Sequence, residues 1–243
     1  MNPGLYIVGT PIGNLGDITL RALETLKSAD LVVAEDTRHT RKLLDRYEIR
    51  TPTMSCHKFN EASRVQLLLG RIREGQAVAL VTDSGMPAVS DPGSRVVAAC
   101  RAEGLPVTVM PGPSAVTAAV ALCGFAGEGF FFDGFLPHKS GARKKRLARL
   151  ASCDVPVVLF ESPYRLVKLL GEIAEVLGPR RVFVGRELTK QFEEARAGTP
   201  ADILAAFAGR TVKGELVVIV APAEGEGPRA AGPAVIDTPE GEC

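Results

Sequence analysis

Leu5-Tyr6-Ile7-Val8-Gly9-Thr10-Pro11-Ile12-Gly13-Asn14-Leu15-Gly16 opens the chain with four large apolar side chains that run straight into glycine, proline and short polar residues. An apolar run of this length closed by turn formers reads as a buried strand followed by a loop. The unit returns along the first half: residues 31–34 lead into Glu35-Asp36-Thr37-Arg38, 78–81 into Thr82-Asp83-Ser84-Gly85-Met86-Pro87, and 107–110 into Pro111-Gly112-Pro113-Ser114. Residues 53–56 supply a further strand. Between the strands, Leu20, Leu23 and Leu26 mark one helix face, and Val65, Leu68, Leu69 and Ile72 another, preceded by Asn60 as a candidate cap. Asp91-Pro92 reads as a cap with proline at the first helical position of a third helix. Strands alternating with helices predict an α/β protein with a largely parallel sheet.

After Phe125 the rhythm breaks at the aromatic, glycine-rich residues 127–135 and then resumes, with strands expected at 157–160, 182–184 and 216–220. Ser162-Pro163 and Thr199-Pro200 are read as cap-plus-proline helix starts. Two α/β domains follow, 1–126 and 127–222, facing each other across a cleft. Residues 223–243 carry four glycines and, following Pro222, the prolines Pro228, Pro233 and Pro239, have no apolar periodicity, and are expected to be disordered.

Composition narrows the class. The 243 residues include 29 Lys plus Arg against 28 Asp plus Glu, and 46% are hydrophobic, which excludes a disordered or collagen-like chain. The tail holds five acids and one base, so its net −4 leaves +5 on the preceding residues, a mildly basic body that permits a polyanionic partner. Five scattered cysteines without a C-x-x-C pair suggest neither a disulfide framework nor a zinc knuckle, and a reducing cytoplasmic location is expected. No signal peptide is read at the N-terminus, and prolines interrupt the uncharged stretch 104–127, so no membrane span is expected.

In open α/β sheets, ligands bind outside the carboxyl ends of the strands. The loops after residues 8, 81 and 110 would converge there into a pocket for a polar small molecule, glycines giving close backbone approach and Asp83 accepting from ribose hydroxyls or an amine. Any one loop alone reads better as an ordinary turn. The coincidence of three favours a site. G-x-G-x-x-G, the P-loop, H-E-x-x-H and G-x-S-x-G are all absent, and His39, His57 and His138 lie apart, so no metal is assigned. Lys139, Arg143, Lys144, Lys145, Arg146 and Arg149 form a run of bases without an acid, readable as a phosphate-binding helix or as a solvated face. Glu161, Arg186, Glu187, Lys213 and Glu215 sit at strand ends of the second half, as salt bridges or as proton-transfer groups.

Several of these stretches, taken in order, carry a resemblance. Val8-Gly9-Thr10-Pro11-Ile12-Gly13-Asn14-Leu15-Gly16-Asp17-Ile18, Ala34-Glu35-Asp36-Thr37-Arg38, Asp83-Ser84-Gly85-Met86-Pro87 with Ser90-Asp91-Pro92-Gly93, Gly134-Phe135-Leu136-Pro137, Phe160-Glu161-Ser162-Pro163-Tyr164-Arg165 and Arg186-Glu187-Leu188-Thr189-Lys190 resemble the ribosomal RNA small subunit methyltransferase I family of the tetrapyrrole methylase superfamily. The resemblance implies two α/β domains of the tetrapyrrole methylase type with S-adenosylmethionine in the interdomain trough, usually in a homodimer. It implies methylation of the ribose 2′-hydroxyl of a decoding-centre cytidine in the 16S ribosomal RNA of the small ribosomal subunit. Carried over by motif, the cofactor contacts are Pro11, Asp83, Ser84, Gly85, Ser114, Ala115, Phe160 and Gly214. Ser84 and Met86 depart from the alanine and threonine expected there, and the Pro/Gly/Glu tail stands where fuller-length relatives carry a small helical extension.

A ribose hydroxyl needs its proton removed or its alkoxide stabilised before it attacks. Glu35 or Glu187 is the expected acceptor, and Arg186 or Lys213 the expected cation. Two other readings stay open: a tetrapyrrole C-methyltransferase with the same cofactor pocket, and a non-catalytic ribosome-binding module.

Overall fold

The structure, a computed structural model, describes residues 1–125 and 127–223 together with the backbone of 235–236. It divides into two compact units, Met1–Ser114 and Ala115–Cys243. The division precedes the Gly127 boundary read from the sequence, because the helix Ala115–Cys123 packs on a strand of the second unit. No helix among the described residues is long and apolar enough to cross a membrane.

The first unit runs β1 (Gly4–Val8), α1 (Leu20–Ser28), β2 (Leu31–Ala34), α2 (Thr37–Arg46), β3 (Thr53–Ser55), α3 (Glu61–Arg73), β4 (Ala77–Leu80), α4 (Ser94–Ala102) and β5 (Val107–Met110). The strands form one sheet in the order β3-β2-β4-β1-β5, and every pairing is parallel. Successive strand residues point to opposite faces. Leu5, Ile7, Leu31, Val33, Val78 and Leu80 pack against Leu68, Leu69 and Ile72 of α3 and Val96 and Cys100 of α4. Val8, Val32, Ala34 and Ala79 pack on the other face against Ala22 and Leu26 of α1 and Leu43 and Leu44 of α2.

This arrangement decides where a ligand can bind. From β1 the chain passes β4 to reach β2, with α1 on one face, whereas from β4 it passes β1 to reach β5, with α4 on the other. Crossovers are right-handed, so opposite directions place the helices on opposite faces. The loops leaving neighbouring β1 and β4 therefore part, and a crevice opens at their carboxyl ends.

The second unit comprises α5 (Ala115–Cys123), β6 (Phe131–Phe135), α6 (Ser140–Arg149), β7 (Val157–Glu161), α7 (Leu166–Leu177), β8 (Val182–Arg186), β9 (Glu194–Gly198), α8 (Pro200–Phe207), β10 (Leu216–Val220) and β11 (Val235–Ile236). Its sheet has the order β11-β9-β8-β10-β7-β6, in which β6 and β7 are parallel and the remaining pairs antiparallel. The expectation of a largely parallel sheet is thus corrected for this half. The short link from β8 to β9 allows only an antiparallel return, and β10 enters antiparallel between β7 and β8. Leu159, Val184 and Val218 lie beneath Leu147 of α6, Leu166, Leu169, Leu170 and Ile173 of α7, and Ile203 and Phe207 of α8.

Helix starts differ from the expectations in three places. Asn60 precedes α3 but makes no cap bond to it; its Oδ1 accepts from His57 N instead (2.7 Å). Asp91-Pro92 belongs to a turn, and α4 begins after Gly93, where the acceptor is the buried Glu61, whose Oε1 takes the Gly93 N–H (2.9 Å) and the Arg95 N–H (3.1 Å). Ser162-Pro163 likewise forms a turn before α7. At Thr199-Pro200 the expected start is found, with a complete capping box between Thr199 and Asp202. The stretch 223–243, expected to be disordered, lies outside the described residues except for Ala223 and β11, whose two residues form a strand against β9 where none was expected.

Candidate active site

At the crevice of the first unit, the loops after β1, β4 and β5 are locked to one another by backbone. Thr10 N donates to Gly85 O (2.9 Å) and Gly85 N to Thr10 O (3.2 Å), a two-residue antiparallel bridge joining the β1 and β4 loops. The buried Thr10 hydroxyl adds a bond to Thr82 O (3.0 Å). Gly85 holds φ +83°, a conformation that glycine adopts without strain. A Cβ on Gly9 would lie 2.8 Å from the Gly112 backbone and 2.7 Å from Met86 Sδ, so the β1 and β5 loops touch through glycine alone. Pro11 is buried beside this bridge, whereas residues 13–17 turn outward, with Asn14 Oδ1 accepting from Gly16 N (3.0 Å).

The carboxylates after β2 and β4 form one hydrogen-bonded group. Asp83 Oδ1 accepts from Asp36 N (3.0 Å), which leaves Oδ2 without a protein partner among the described residues. Glu35 Oε2 accepts from the Thr82 hydroxyl (2.9 Å). Asp36 caps α2 through Arg38 N (2.8 Å) and pairs with the Arg38 guanidinium, whose hydrogen bonds hold its carboxyl at about 2. Ser84 and Ser114 flank Gly85 and Gly112 in the same loops. Thr10 and Thr82, which tie the loops together, were not singled out from the sequence, where buried hydroxyls give no signal distinct from turn residues.

In the second unit the strand register aligns the other candidates. Glu161, Leu216, Arg186 and Glu194 form one row across β7, β10, β8 and β9, so the ends of β7 and β8 and the starts of β9 and β10 share a sheet edge. Phe160 lies one position inside that row, its ring 5.0 Å from Phe132 and 5.5 Å from Phe135. Lys213, Gly214 and Glu215 enter β10 at the same edge. Gly214 stands at φ +92°, and a Cβ there would lie 2.3 Å from Glu187 Cδ, so the space it leaves is filled by the Glu187 side chain. Ala115, the remaining cofactor candidate, starts α5 and is half-buried.

These contacts separate the four proton-transfer candidates. Burial pushes the Glu187 carboxyl up, but hydrogen bonds from Lys190 Nζ (2.9 Å) and Glu215 N (2.8 Å) outweigh it and hold the group below the usual carboxylate range. Arg186 binds Glu194 through Nε (3.0 Å) and the Lys213 carbonyl through Nη1 (3.2 Å). Both are structural members of the edge. Glu35 keeps one oxygen without a protein partner, and Lys213 is exposed with its Nζ unpaired among the described residues.

The basic helix is α6, and it divides the bases by face. Arg143, expected at the surface, is 1% exposed and paired with Glu172, itself 5% exposed. Its Nη2 donates to Glu172 Oε1 (2.9 Å), and its Nη1 to the Pro137 and His138 carbonyls. Helical spacing explains the correction: Arg143 and Leu147 are four residues apart on the inward face. Arg146 is paired with Asp133, and Lys144 with Glu175 (2.6 Å). Lys139, Lys145 and Arg149 are exposed and unpaired among the described residues.

Comparison with known proteins places the chain among its relatives. The family described as tetrapyrrole (corrin/porphyrin) methylases matches residues 4–204. A ribosomal RNA small subunit methyltransferase I from Mesorhizobium japonicum is 48% identical over 239 residues, 98% of this chain and 80% of that one. One of the same name from Thermotoga maritima is 45% identical, over 89% of this chain and 97% of the relative. Among solved structures, the uroporphyrin-III C-methyltransferase of Thermus thermophilus complexed with S-adenyl homocysteine shares the fold, with a TM-score of 0.63 and 22% identity over 89% of this chain and 96% of that one.

Proposed function

The chain belongs to the tetrapyrrole methylase family and, within it, to the ribosomal RNA small subunit methyltransferase I family; from that premise we propose that it methylates the ribose 2′-hydroxyl of a decoding-centre cytidine in 16S ribosomal RNA, using S-adenosylmethionine. The locked crevice of the first unit is the observation that supports this reading most. Its glycines bring backbone within reach of a ligand, and Asp83 Oδ2, without a partner among the described residues, is an acceptor suited to the hydroxyls of a nucleoside. These features fit S-adenosylmethionine, with Pro11, Asp83, Ser84, Gly85 and Ser114 as its proposed contacts in the first unit; Ala115, Phe160 and Gly214 are proposed as further contacts on the family resemblance. When bound, that cofactor supplies a methyl group on a sulfonium.

The protein's own contribution is mostly positioning, since an aligned nucleophile needs no covalent help. Glu35 is the proposed proton acceptor for the ribose hydroxyl, having one oxygen without a partner among the described residues and a bond from the Thr82 hydroxyl to the other. Lys213 is the proposed cation beside the developing alkoxide. Arg186 and Glu187 shape the edge from which Lys213 projects. The exposed Lys145 and Arg149 of α6 and Lys139 at its N-cap, aided by Lys144, would contact RNA phosphates. A homodimer acting in the cytoplasm completes the reading.

The test is transfer of labelled methyl from S-adenosylmethionine to unmethylated small ribosomal subunits, followed by nuclease digestion and mass spectrometry. A 2′-O-methylated cytidine is the expected product. Cofactor binding without incorporation into RNA would overturn the substrate and turn attention to tetrapyrroles. For the residues, Glu35→Gln and Lys213→Ala should each lower the single-turnover rate at least tenfold with cofactor affinity retained. Unchanged rates in both would remove them from the chemistry.

A further inference from the structure

At the carboxyl ends of β6 and β7, Phe135 pairs in register with Phe160, and both strands continue into loops that two arginines hold together. Arg143, anchored on the buried Glu172, donates Nη1 to the carbonyls of Pro137 (3.2 Å) and His138 (3.1 Å). Arg165 donates Nη2 to the Leu136 carbonyl (2.9 Å), and its Nη1 lies 3.3 Å from His138 Nδ1. Its Nε is 3.0 Å from Oε1 of Glu161, a buried carboxylate that also takes the Ser162 N–H (2.8 Å). Residues 136–138 and 162–165 are thereby one fixed unit, with the guanidiniums and both carboxylates drawn inward.

This unit displays aromatic rings to solvent. Tyr164 is 95% exposed and Phe135 61% exposed, the latter with its ring 5.5 Å from Phe160. A loop that served only to connect a strand to a helix would gain little from a tyrosine so exposed; its ring buries almost no area here, and the restraint falls on the backbone on either side of it. The surroundings are cationic. Of the six Lys plus Arg in residues 136–149, Lys139, Lys145 and Arg149 are exposed and unpaired among the described residues, and Lys139 directly follows the unit in sequence.

A flat ring with a hydroxyl, held out in solvent on a restrained backbone, together with the exposed Lys139 of the same unit's flank, matches an unpaired nucleotide: the ring stacks on a base and the cation meets the adjoining phosphate. We propose that Tyr164, together with Phe135, is a stacking platform for an unpaired nucleobase of the RNA substrate, with Lys139 contacting its phosphate. This rests on the RNA reading above and adds to it the residues that position the strand. Tyr164 acts on substrate binding rather than on the chemical step.

The test uses the full-length Tyr164→Ala, Tyr164→Phe and Phe135→Ala variants. Methyl transfer is measured against small-subunit concentration, alongside cofactor affinity, melting temperature and sedimentation. Tyr164→Ala removes one stacking partner and should raise KM for RNA about tenfold while leaving kcat, cofactor affinity and melting temperature unchanged. Tyr164→Phe keeps the ring and should behave as wild type. RNA carrying 5-iodouridine beside the target should photocrosslink to Tyr164. A wild-type KM in Tyr164→Ala, or a change in sedimentation in place of RNA affinity, would overturn the platform, the latter marking an interface between copies. If the unsubstituted protein neither binds nor methylates RNA, the functional reading fails first and the platform with it.

Discussion

Gly9 and Gly112 meet where any side chain would collide with backbone, so the β1 and β5 loops owe their separation to two missing methyl groups. Gly9→Ala must push these loops apart by more than side-chain adjustment can absorb, at a cost of about 1–3 kcal/mol in stability. The same movement opens the crevice, and cofactor affinity measured by calorimetry should fall at least tenfold. Glu194 poses a different single-residue question. Burial pushes its carboxyl up, yet hydrogen bonds from Arg210, Arg196 and Arg186 overcome that and hold it at about 2, against an ordinary value of 4.5. A carboxyl lowered in the folded state contributes stability that is complete above its unfolded value and lost as pH falls through its folded one. Glu194→Gln should therefore lower the melting temperature at neutral pH, with the difference shrinking between pH 4.5 and 2. An undiminished difference at pH 2 would show that packing, not charge, is what the glutamate supplies.

α6 shows how one element can hold residues of one chemical type in different roles. Arg143 and Glu172 form a buried pair, and removing one partner leaves the other charge buried and unpaired, at about 3–5 kcal/mol. Arg143→Ala should accordingly lower the unfolding midpoint in denaturant strongly. Lys145→Glu with Arg149→Glu, on the exposed face, should leave the midpoint unchanged, weaken RNA binding and flatten its salt dependence. An unchanged salt slope would take that face out of the RNA contact. The sequence showed six bases on a helix but not which face was inward, because arginine in the core is recognisable only from its carboxylate, and Glu172 lies on α7. Strands were legible where apolar residues run together, as in β2, β4 and β10. β6 and β9 were not: Asp133 and Gly134 interrupt one at a register shift, and Glu194-Ala195-Arg196-Ala197-Gly198 has no β-branched residue. Pairing with neighbours and side-chain ion pairs place these strands, and neither is a local property.

Across the whole molecule, the proposed ligand-binding end of the first unit was readable because the loop chemistry follows the strands in sequence, and a parallel sheet sends all those loops to one edge. The second unit hid its edge, since the antiparallel entry of β10 brings Lys213, Gly214 and Glu215 to the row of Glu161, Arg186 and Glu194 only once the register is known. Net charge is the property that sequence alone does decide at this scale. Residues 223–243 carry five acids and one base, whereas the preceding 222 residues carry +5, so the near-neutral total conceals a basic body and an acidic end. Such an end lowers the potential that an RNA experiences wherever it lies within a Debye length, about 10 Å at 0.1 M salt. Truncation would also remove β11 from the edge of β9, so the cleaner change is neutralisation: Glu224, Glu226, Asp237, Glu240 and Glu242 replaced by their amides. RNA should then bind more tightly at low salt, the advantage fading as salt rises, with cofactor affinity unmoved because none of the proposed cofactor contacts lies in residues 223–243. Filter binding across a salt series decides it: equal affinities at the lowest salt would mean that the acidic end stays out of reach of the RNA surface.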